Sequence, residues 1–523
     1  LMQNHTWQLV DLPKGRKCIQ NRWVYTIKRD RDGNILRHKA RLVAKGFTQR
    51  KGIDFQETFA PVIRFDSLRI LLAVSAHKRM TMTQFDVKTA FLNGSIQEEI
   101  YMTQPEGFGD GTQKVCRLKK GLYGLKQSPR AWNEKADQTL RELGLTQMKS
   151  DPCVYTRLTP TCKLYLALYV DDGLILSNSQ SESKKLIEGL KSKFSITLTS
   201  GQKYIGLEID QAEDGSILIS QESYVKEILL RFSMADCKPM ATPADPSIKL
   251  TADMSPVSEV DKEEAAKIPY KEAVGALMFA ASVSRPDISF AVGQVARFFA
   301  NPGRQHWTAV KRILRYLQGT SDMSIMYKPD GDVDLTAFAD SDLAGDQDSR
   351  KSTSGLLLMV SGSPVVWGSR GHKCVALSTT EAEHTAIAEA TREVIWAREF
   401  MNELGEEQKE PTPLHNDNQS AIRLVKSGEF HKNTKDLATK ISFVKHEASA
   451  GKIDIRFTPS VDMPADMLTK AVPAATHAKC REIVDMRRKS ERGLKLKAFL
   501  TCLLILSDAT MTRAMFDSQP PIV

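Results

Sequence analysis

The sequence predicts a mixed α and β protein built from about three domains. Three observations lead there. Two apolar, β-favouring runs, residues 164–170 and 173–176, flank Asp171-Asp172, the pattern of a hairpin with two acids at its turn. Residues 269–320 carry helical periodicity, and from Gly331 to about Ala475 strand patterns alternate with helical ones. The length, 523 residues, is too great for one ordinary domain.

The elements follow in order. Residues 80–87 read as a short strand ending at Asp86-Val87, and Lys88 to Gly94 turn the chain away. The acidic hairpin comes next. Adjacent like charges repel, so a turn alone would rarely select them; divalent cations, which seek hard carboxylate oxygens, give the pair a use. Residues 239–264, rich in Pro, Ser, Thr, Asp and Lys, read as a linker. Helices are expected at 270–279, 287–300 and 306–318. The last sets Ile313, Tyr316 and Leu317 on an apolar face, with Lys311, Arg312 and Arg315 on a basic side open to nucleic acid. In the final third, a strand ends at Asp340, a hydroxyl-capped helix starts at Ser378-Thr379-Thr380-Glu381-Ala382-Glu383, a strand ends at Asp417, and another helix opens at Pro464-Ala465-Asp466. Each acid stands at an element end, where the loops of an α/β sheet gather on one face. Four carboxylates there could hold two metal ions.

Charge points the same way. The formal net charge is +10, and residues 14–51 alone hold 13 Lys or Arg against two acids. Trp23, Tyr25 and Phe47 interleave with them, which suits a surface that grips phosphates and stacks on bases. The eight cysteines show neither zinc spacing nor a disulfide framework, so reduced thiols in an intracellular protein are expected. No signal peptide opens the chain, and the apolar stretch 498–506 is far short of the ~20 residues a membrane helix needs. Residue 1 is Leu, so a piece of a larger polyprotein is expected.

Several blocks resemble the reverse transcriptase of Ty1/copia-type LTR retrotransposons. They are Lys39-Ala40-Arg41-Leu42-Val43-Ala44-Lys45-Gly46-Phe47, Glu57-Thr58-Phe59-Ala60-Pro61-Val62, Asp86-Val87-Lys88-Thr89-Ala90-Phe91-Leu92-Asn93-Gly94, Leu122-Tyr123-Gly124-Leu125-Lys126-Gln127-Ser128-Pro129-Arg130-Ala131-Trp132 and Tyr169-Val170-Asp171-Asp172. The blocks Ala339-Asp340-Ser341-Asp342-Leu343-Ala344-Gly345, Ser378-Thr379-Thr380-Glu381-Ala382-Glu383, Asp417-Asn418-Gln419-Ser420-Ala421 and Ala465-Asp466-Met467-Leu468-Thr469-Lys470 are similar to the ribonuclease H of the same family. The resemblance implies α+β architecture: right-hand polymerase fingers and a ferredoxin-like palm with the start of the thumb over 1–246, a helical thumb and connection over 247–330, and an RNase H-like α/β domain over 331–475. Residues 476–523 read as a C-terminal tail without fixed structure, and from about Arg488 onward they have no counterpart in the family.

It also implies roles. Asp86, Asp171 and Asp172 would hold two Mg²⁺ ions in the polymerase site, with the Val87 carbonyl completing the shell and Asp172 the weaker ligand. Phe91 would exclude a ribose 2′-hydroxyl. Lys39 or Arg41 would reach the triphosphate, and Gln127 would line the dNTP pocket. Asp340, Glu383, Asp417 and Asp466 would hold two Mg²⁺ ions in the nuclease, Glu381 being the competitor of Glu383; Mn²⁺ would substitute at both sites. The implied activity is RNA-directed DNA polymerisation with degradation of the RNA strand of the hybrid. The implied partners are RNA template, DNA primer and product, RNA–DNA hybrid and dNTPs, with a tRNA-derived primer, element capsid and integrase, in a cytoplasmic virus-like particle or the nucleus and with no membrane.

One segment departs from the family pattern. Thr434-Lys435-Asp436-Leu437-Ala438, after His431, stands where the family usually reads Thr-Lys-His-Ile-Asp. It leaves two alternatives open: a polymerase with an inactive nuclease, or a decayed relic that only binds nucleic acid.

Overall fold

The computed structural model describes residues 1–29, 34–199, 202–329, 331–427 and 435–489. The fold is mixed α and β, as expected. It divides into two compact units: Leu1–Leu71 with Lys78–Ile205 and Glu399–Glu407, and Leu72–His77 with Gly206–Arg398 and Gln408–Val523. The helical region expected over 247–330 thus clusters with the sheet that follows it. Among the described residues no helix is long and apolar enough to cross a membrane; the stretch 498–506 lies outside them.

In the first unit, the antiparallel pair Asn21–Arg29 and Ile35–Ala44 places the basic stretch on a two-stranded ribbon. The main sheet is antiparallel. It runs Ile196–Thr199, Thr81–Val87, Asp172–Ser177, Lys163–Tyr169, Val154–Leu158, Thr146–Gln147. The expected hairpin is present, Lys163–Tyr169 pairing with Asp172–Ser177. Leu164, Leu166 and Leu168 point to one face and pack with Phe85, Ile175, Tyr155 and Trp132. The helices Ser128–Glu142 and Gln180–Lys193 contribute Ala136, Leu140, Leu186 and Leu190 to the same core. The period-2 pattern of the strand is therefore what anchors the acidic turn.

In the second unit, the helices Glu222–Arg231, Tyr270–Val283, Ser289–Ala296 and Arg304–Gln318 share one apolar core. The helix expected over 287–300 is shorter, because Pro286 opens a 3-10 turn before it. Arg285 and Asp287 are buried there as a bidentate ion pair, with N–O distances of 2.9 and 2.8 Å, and Tyr316 donates to the same carboxylate at 2.5 Å. The basic side of Arg304–Gln318 is partly spent inside the protein. Arg312 pairs with Asp245 at 2.8 Å, and Arg315 donates to the Lys238 carbonyl at 2.7 Å. These contacts pin the stretch that composition assigns to a linker.

A second sheet in this unit runs Ser363–Gly371, Thr353–Val360, Leu335–Ser341, Thr412–Asn416, Ile453–Phe457. Its first three strands are antiparallel, and the last two join in parallel. The helix Thr379–Glu403 supplies the crossover between them. Residues 474–488, where a tail was expected to begin at 476, continue the fold instead. Ala474–Ile483 is a helix, and Met486–Arg488 pairs with Met323–Tyr327. His477, Cys480, Val484 and Met486 are buried, which gives the segment a packed face. His431 lies outside the described residues, as does the side chain of Asp436.

Two candidate carboxylate sites

At the hairpin tip, Asp172 lies directly across the ladder from Asp86. Val170 adopts φ +52°, a left-handed conformation costly for a β-branched residue. Two contacts hold it there. The Trp132 indole donates to the Val170 carbonyl at 2.6 Å, and the Val87 amide donates to the Asp171 carbonyl at 2.7 Å. Gly173 is required beside the acids, because a Cβ there would stand 2.1 Å from the Phe85 ring. Burial raises the Asp171 carboxyl and the neighbouring Asp86 charge adds to this, while Lys39 and Arg41 pull it down. Asp86, Asp171 and the two basic residues thus share one electrostatic neighbourhood. Asp172 does not complete a tight trio with Asp86 and Asp171: among the described residues, such a trio with oxygens within 4.8 Å forms elsewhere.

The 3-10 turn Ala90–Asn93, entered through Thr89 at φ +54°, presents Phe91. Its ring meets Tyr123 edge-on, with centroids 4.8 Å apart, and the Arg41 guanidinium lies over the Tyr123 ring at 5.5 Å. Burial raises the Tyr123 phenol, and Asp171 and Asp86 bear on it as well. The Ala44 amide donates to the Tyr123 carbonyl at 2.8 Å, and Gly124 at φ +90° allows that approach. Gln127 is placed differently from expectation. It is 3% exposed, accepts from Gln49 at 3.0 Å and donates to the Asp54 carbonyl at 2.8 Å. Both ends of its amide brace a loop, so these contacts do not carry a place in a nucleotide pocket. Tyr123, four residues earlier, lies beside Phe91 and Arg41 instead, a position the sequence reading does not single out.

The second site lies in the second unit. Oxygens of Asp340, Glu383 and Asp417 come within 4.8 Å of one another. Asp340 ends a central strand, Asp417 follows the neighbouring strand Thr412–Asn416, and Glu383 lies in the first turns of Thr379–Glu403. Glu381 has another task. It accepts from the Leu377 amide at 2.8 Å while its own amide donates to Ser378 Oγ at 3.2 Å, a reciprocal cap. Glu383 instead turns inward, where Asn416 Nδ2 donates to it at 2.8 Å. Asn416 also donates to the Ala339 carbonyl at 2.9 Å and so ties two strands to the helix.

Asp466 arrives on the 3-10 turn Pro464–Leu468 rather than on an α-helix. Thr469, just past it, donates from Oγ1 to Asp340 Oδ2 at 2.6 Å, and Lys470 Nζ stands 2.8 Å from Asp466. Ser460 donates to Asp417 Oδ2 at 2.6 Å. Burial pushes Asp340 and Glu383 up; the Asp466 charge adds to it at Asp340, and the Asp340 and Asp417 charges add to it at Glu383, while Lys470 lowers Asp340 and Asn416 lowers Glu383. Asp342, outside the expected set, is pushed up to about 6, chiefly by burial. Two buried carboxylates and one half-buried one, with oxygens this close, form a donor set that fits Mg²⁺ or Mn²⁺.

Comparisons with known proteins give the family of the chain. A family model for reverse transcriptase (RNA-dependent DNA polymerase) matches residues 4–246. The chain is 43% identical over 491 residues to the retrovirus-related Pol polyprotein from transposon TNT 1-94 of Nicotiana tabacum, covering 93% of this chain and 37% of that one. It is 33% identical over 314 residues to the putative transposon Ty5-1 protein of Saccharomyces cerevisiae, covering 59% of this chain and 100% of that one. A solved foamy viral protease-reverse transcriptase, in complex with double-stranded DNA, is similar over 83% of this chain and 66% of that chain, at 12% identity and a TM-score of 0.42. A polymerase-type protein of mobile genetic elements is the class these findings define. The chain belongs to the Ty1/copia-type retrotransposon Pol family, with a reverse transcriptase domain over residues 4–246. It spans about a third of the length of the first plant relatives it matches, 37% and 32%.

Proposed function

We propose that this chain is an RNA-directed DNA polymerase joined to a ribonuclease H, which copies retrotransposon RNA into DNA and removes the RNA strand of the hybrid. The observation that carries this reading is the presence of two separate acid sites in one chain: Asp86 and Asp171 under Lys39 and Arg41, and Asp340, Glu383 and Asp417 with converging oxygens.

In the polymerase, Asp86, Asp171 and more weakly Asp172 would hold two Mg²⁺ ions, with the Val87 carbonyl. In the nuclease, Asp340, Glu383, Asp417 and Asp466 would do so. When bound, Mg²⁺ or Mn²⁺ supplies a lowered pKa for the attacking hydroxyl or water and charge neutralisation at the leaving oxygen. The chain's own groups do the rest. Arg41 and Lys39 meet the triphosphate. The Phe91 ring, backed by Tyr123, fills the space a 2′-hydroxyl would need. Asn416 and Thr469 fix Glu383 and Asp340 so that their oxygens need no reorganisation. The substrates in this reading are an RNA template with a DNA or tRNA-derived primer, dNTPs and the RNA–DNA hybrid. Element capsid and integrase would be its partners, in an intracellular virus-like particle or the nucleus.

The purified chain, given a primed RNA template, dNTPs and Mg²⁺, is expected to extend the primer and cleave the template. Extension without cleavage would favour a polymerase with an inactive nuclease. Neither activity, with nucleic acid still bound, would favour a relic.

A further inference from the structure

The four acids of the nuclease site fall into two groups. Asp340, Glu383 and Asp417 approach one another closely. Asp466 stands outside that trio, and a cation of the protein itself stands beside its carboxylate. Lys470 Nζ is 2.8 Å from Asp466 Oδ1 and 3.9 Å from Asp340 Oδ2. Both residues come from one short segment: Asp466 is in the 3-10 turn Pro464–Leu468, and Lys470 follows four positions later. The turn that delivers the fourth acid therefore also delivers its counter-ion. Thr469, between them, donates to the same Asp340 oxygen that faces Lys470.

We propose that Lys470 is a built-in cation that holds the Asp340–Asp466 half of the site, and that it must swing away before a divalent ion binds there. The inference rests on the metal-nuclease reading above. A divalent ion demands carboxylate oxygens at about 2.0–2.1 Å in a tight shell. An ammonium already within hydrogen-bonding distance of one of those carboxylates both blocks the approach and repels the charge. The Lys470 side chain is 43% exposed, whereas Asp340 and Asp466 are almost wholly buried. It alone of the three has a free path to solvent, where the phosphate of an arriving strand would be a natural new partner. At the trio Lys470 stands 3.9 Å from Asp340, against 2.8 Å from Asp466, so a first ion meets a weaker competitor there. The second half of the site fills once Lys470 has been drawn off, so occupancy is tied to the presence of substrate.

The test counts bound Mn²⁺ by electron paramagnetic resonance on the full chain carrying Asp86→Asn and Asp171→Asn, which silences the polymerase acids. No nucleic acid is present. The parent is expected to bind one Mn²⁺ in the accessible concentration range. Lys470→Met is expected to bind two, or to bind the second at least tenfold more tightly, and Lys470→Arg, which keeps the charge, to behave like the parent. Thermal melting of all three confirms that they are folded. Equal number and affinity in parent and Lys470→Met would overturn the proposal while leaving the metal-nuclease reading intact. Loss of Mn²⁺ in Lys470→Met would also overturn it, since Lys470 would then be a prop. A parent that binds no Mn²⁺ would sink the reading and the proposal together.

Discussion

Gly355 lies directly across the antiparallel ladder from Asp340, and its missing side chain is what lets the Asp466 turn reach the site. A Cβ on Gly355 would stand 2.6 Å from Thr469 Cγ2 and 2.8 Å from the Ala465 carbonyl. Strand geometry alone would not bring Asp466 in; an absent side chain on the neighbouring strand makes the room.

Gly355→Ala is therefore expected to push the 464–469 turn outward and to separate Asp466 and Thr469 from Asp340. Overpacking of this kind costs about 1–3 kcal/mol. Urea unfolding should show that loss, and hybrid cleavage should fall at least tenfold while primer extension is kept. Unchanged cleavage would mean that the turn yields without moving its acid.

In the proposed polymerase site, Phe91→Val is expected to admit ribonucleotides, because the ring proposed to exclude the 2′-hydroxyl is gone. Tyr123→Ala should do the same to a lesser degree, since Phe91 loses its edge-on neighbour and Arg41 loses the ring beneath it. Tyr123→Phe keeps the ring and should restore discrimination. Kd values for dNTP and rNTP in a complex stalled on a dideoxy-terminated primer measure this directly. An unchanged ratio in Tyr123→Ala would remove Tyr123 from the pocket wall.

Acid stability has a separate origin. Burial by itself would raise Asp287, but the Arg285 charge and hydrogen bonds, with Tyr316 and His477, outweigh burial and hold it at about 2. A carboxyl depressed on folding stabilises fully above its unfolded pKa, near 4, and loses that contribution as pH falls toward 2. The contribution is on the order of 2 kcal/mol. Urea midpoints of the wild-type chain should therefore drop between pH 5 and 2 in part through this group. Asp287→Asn should be less stable by roughly 3–5 kcal/mol at pH 7, because Arg285 is left buried without its counter-charge, and should show a shallower acid limb. Parallel acid limbs would contradict the assignment.

Much of this was legible in the sequence, because the informative acids sit where local pattern changes. The alternation of residues 164–170 places the Asp171 hairpin, and the strand patterns before Asp340 and Asp417 place those two acids at element ends. What escaped depends on contacts distant in sequence. Nothing near Gln127 reveals that its amide is claimed by Gln49 and Asp54, more than seventy positions earlier. The sequence favours Glu383 over Glu381, but the cap that Glu381 forms with Ser378 and Leu377 is visible only in the fold. The segment after 476 reads as a tail because the blocks that resemble the family end before it, at Lys470. The strand partner Met323–Tyr327 that orders its end lies over 150 residues away. The pairing of Lys470 with Asp466 was hidden for a simpler reason: a Lys four residues after an Asp is usually a surface pair of little consequence.

The central claim is that one chain carries two independent acid sites, one for building DNA and one for cutting RNA. A single gel tests it most directly. A labelled RNA template with a labelled DNA primer, dNTPs and Mg²⁺ is given to the wild-type chain, to Asp171→Asn and to Asp340→Asn. Asp171→Asn is expected to lose primer extension while retaining template binding and cleavage of a preformed hybrid, and Asp340→Asn to lose cleavage and keep extension. Primer extension by purified Asp171→Asn, or hybrid cleavage by purified Asp340→Asn, would contradict the account.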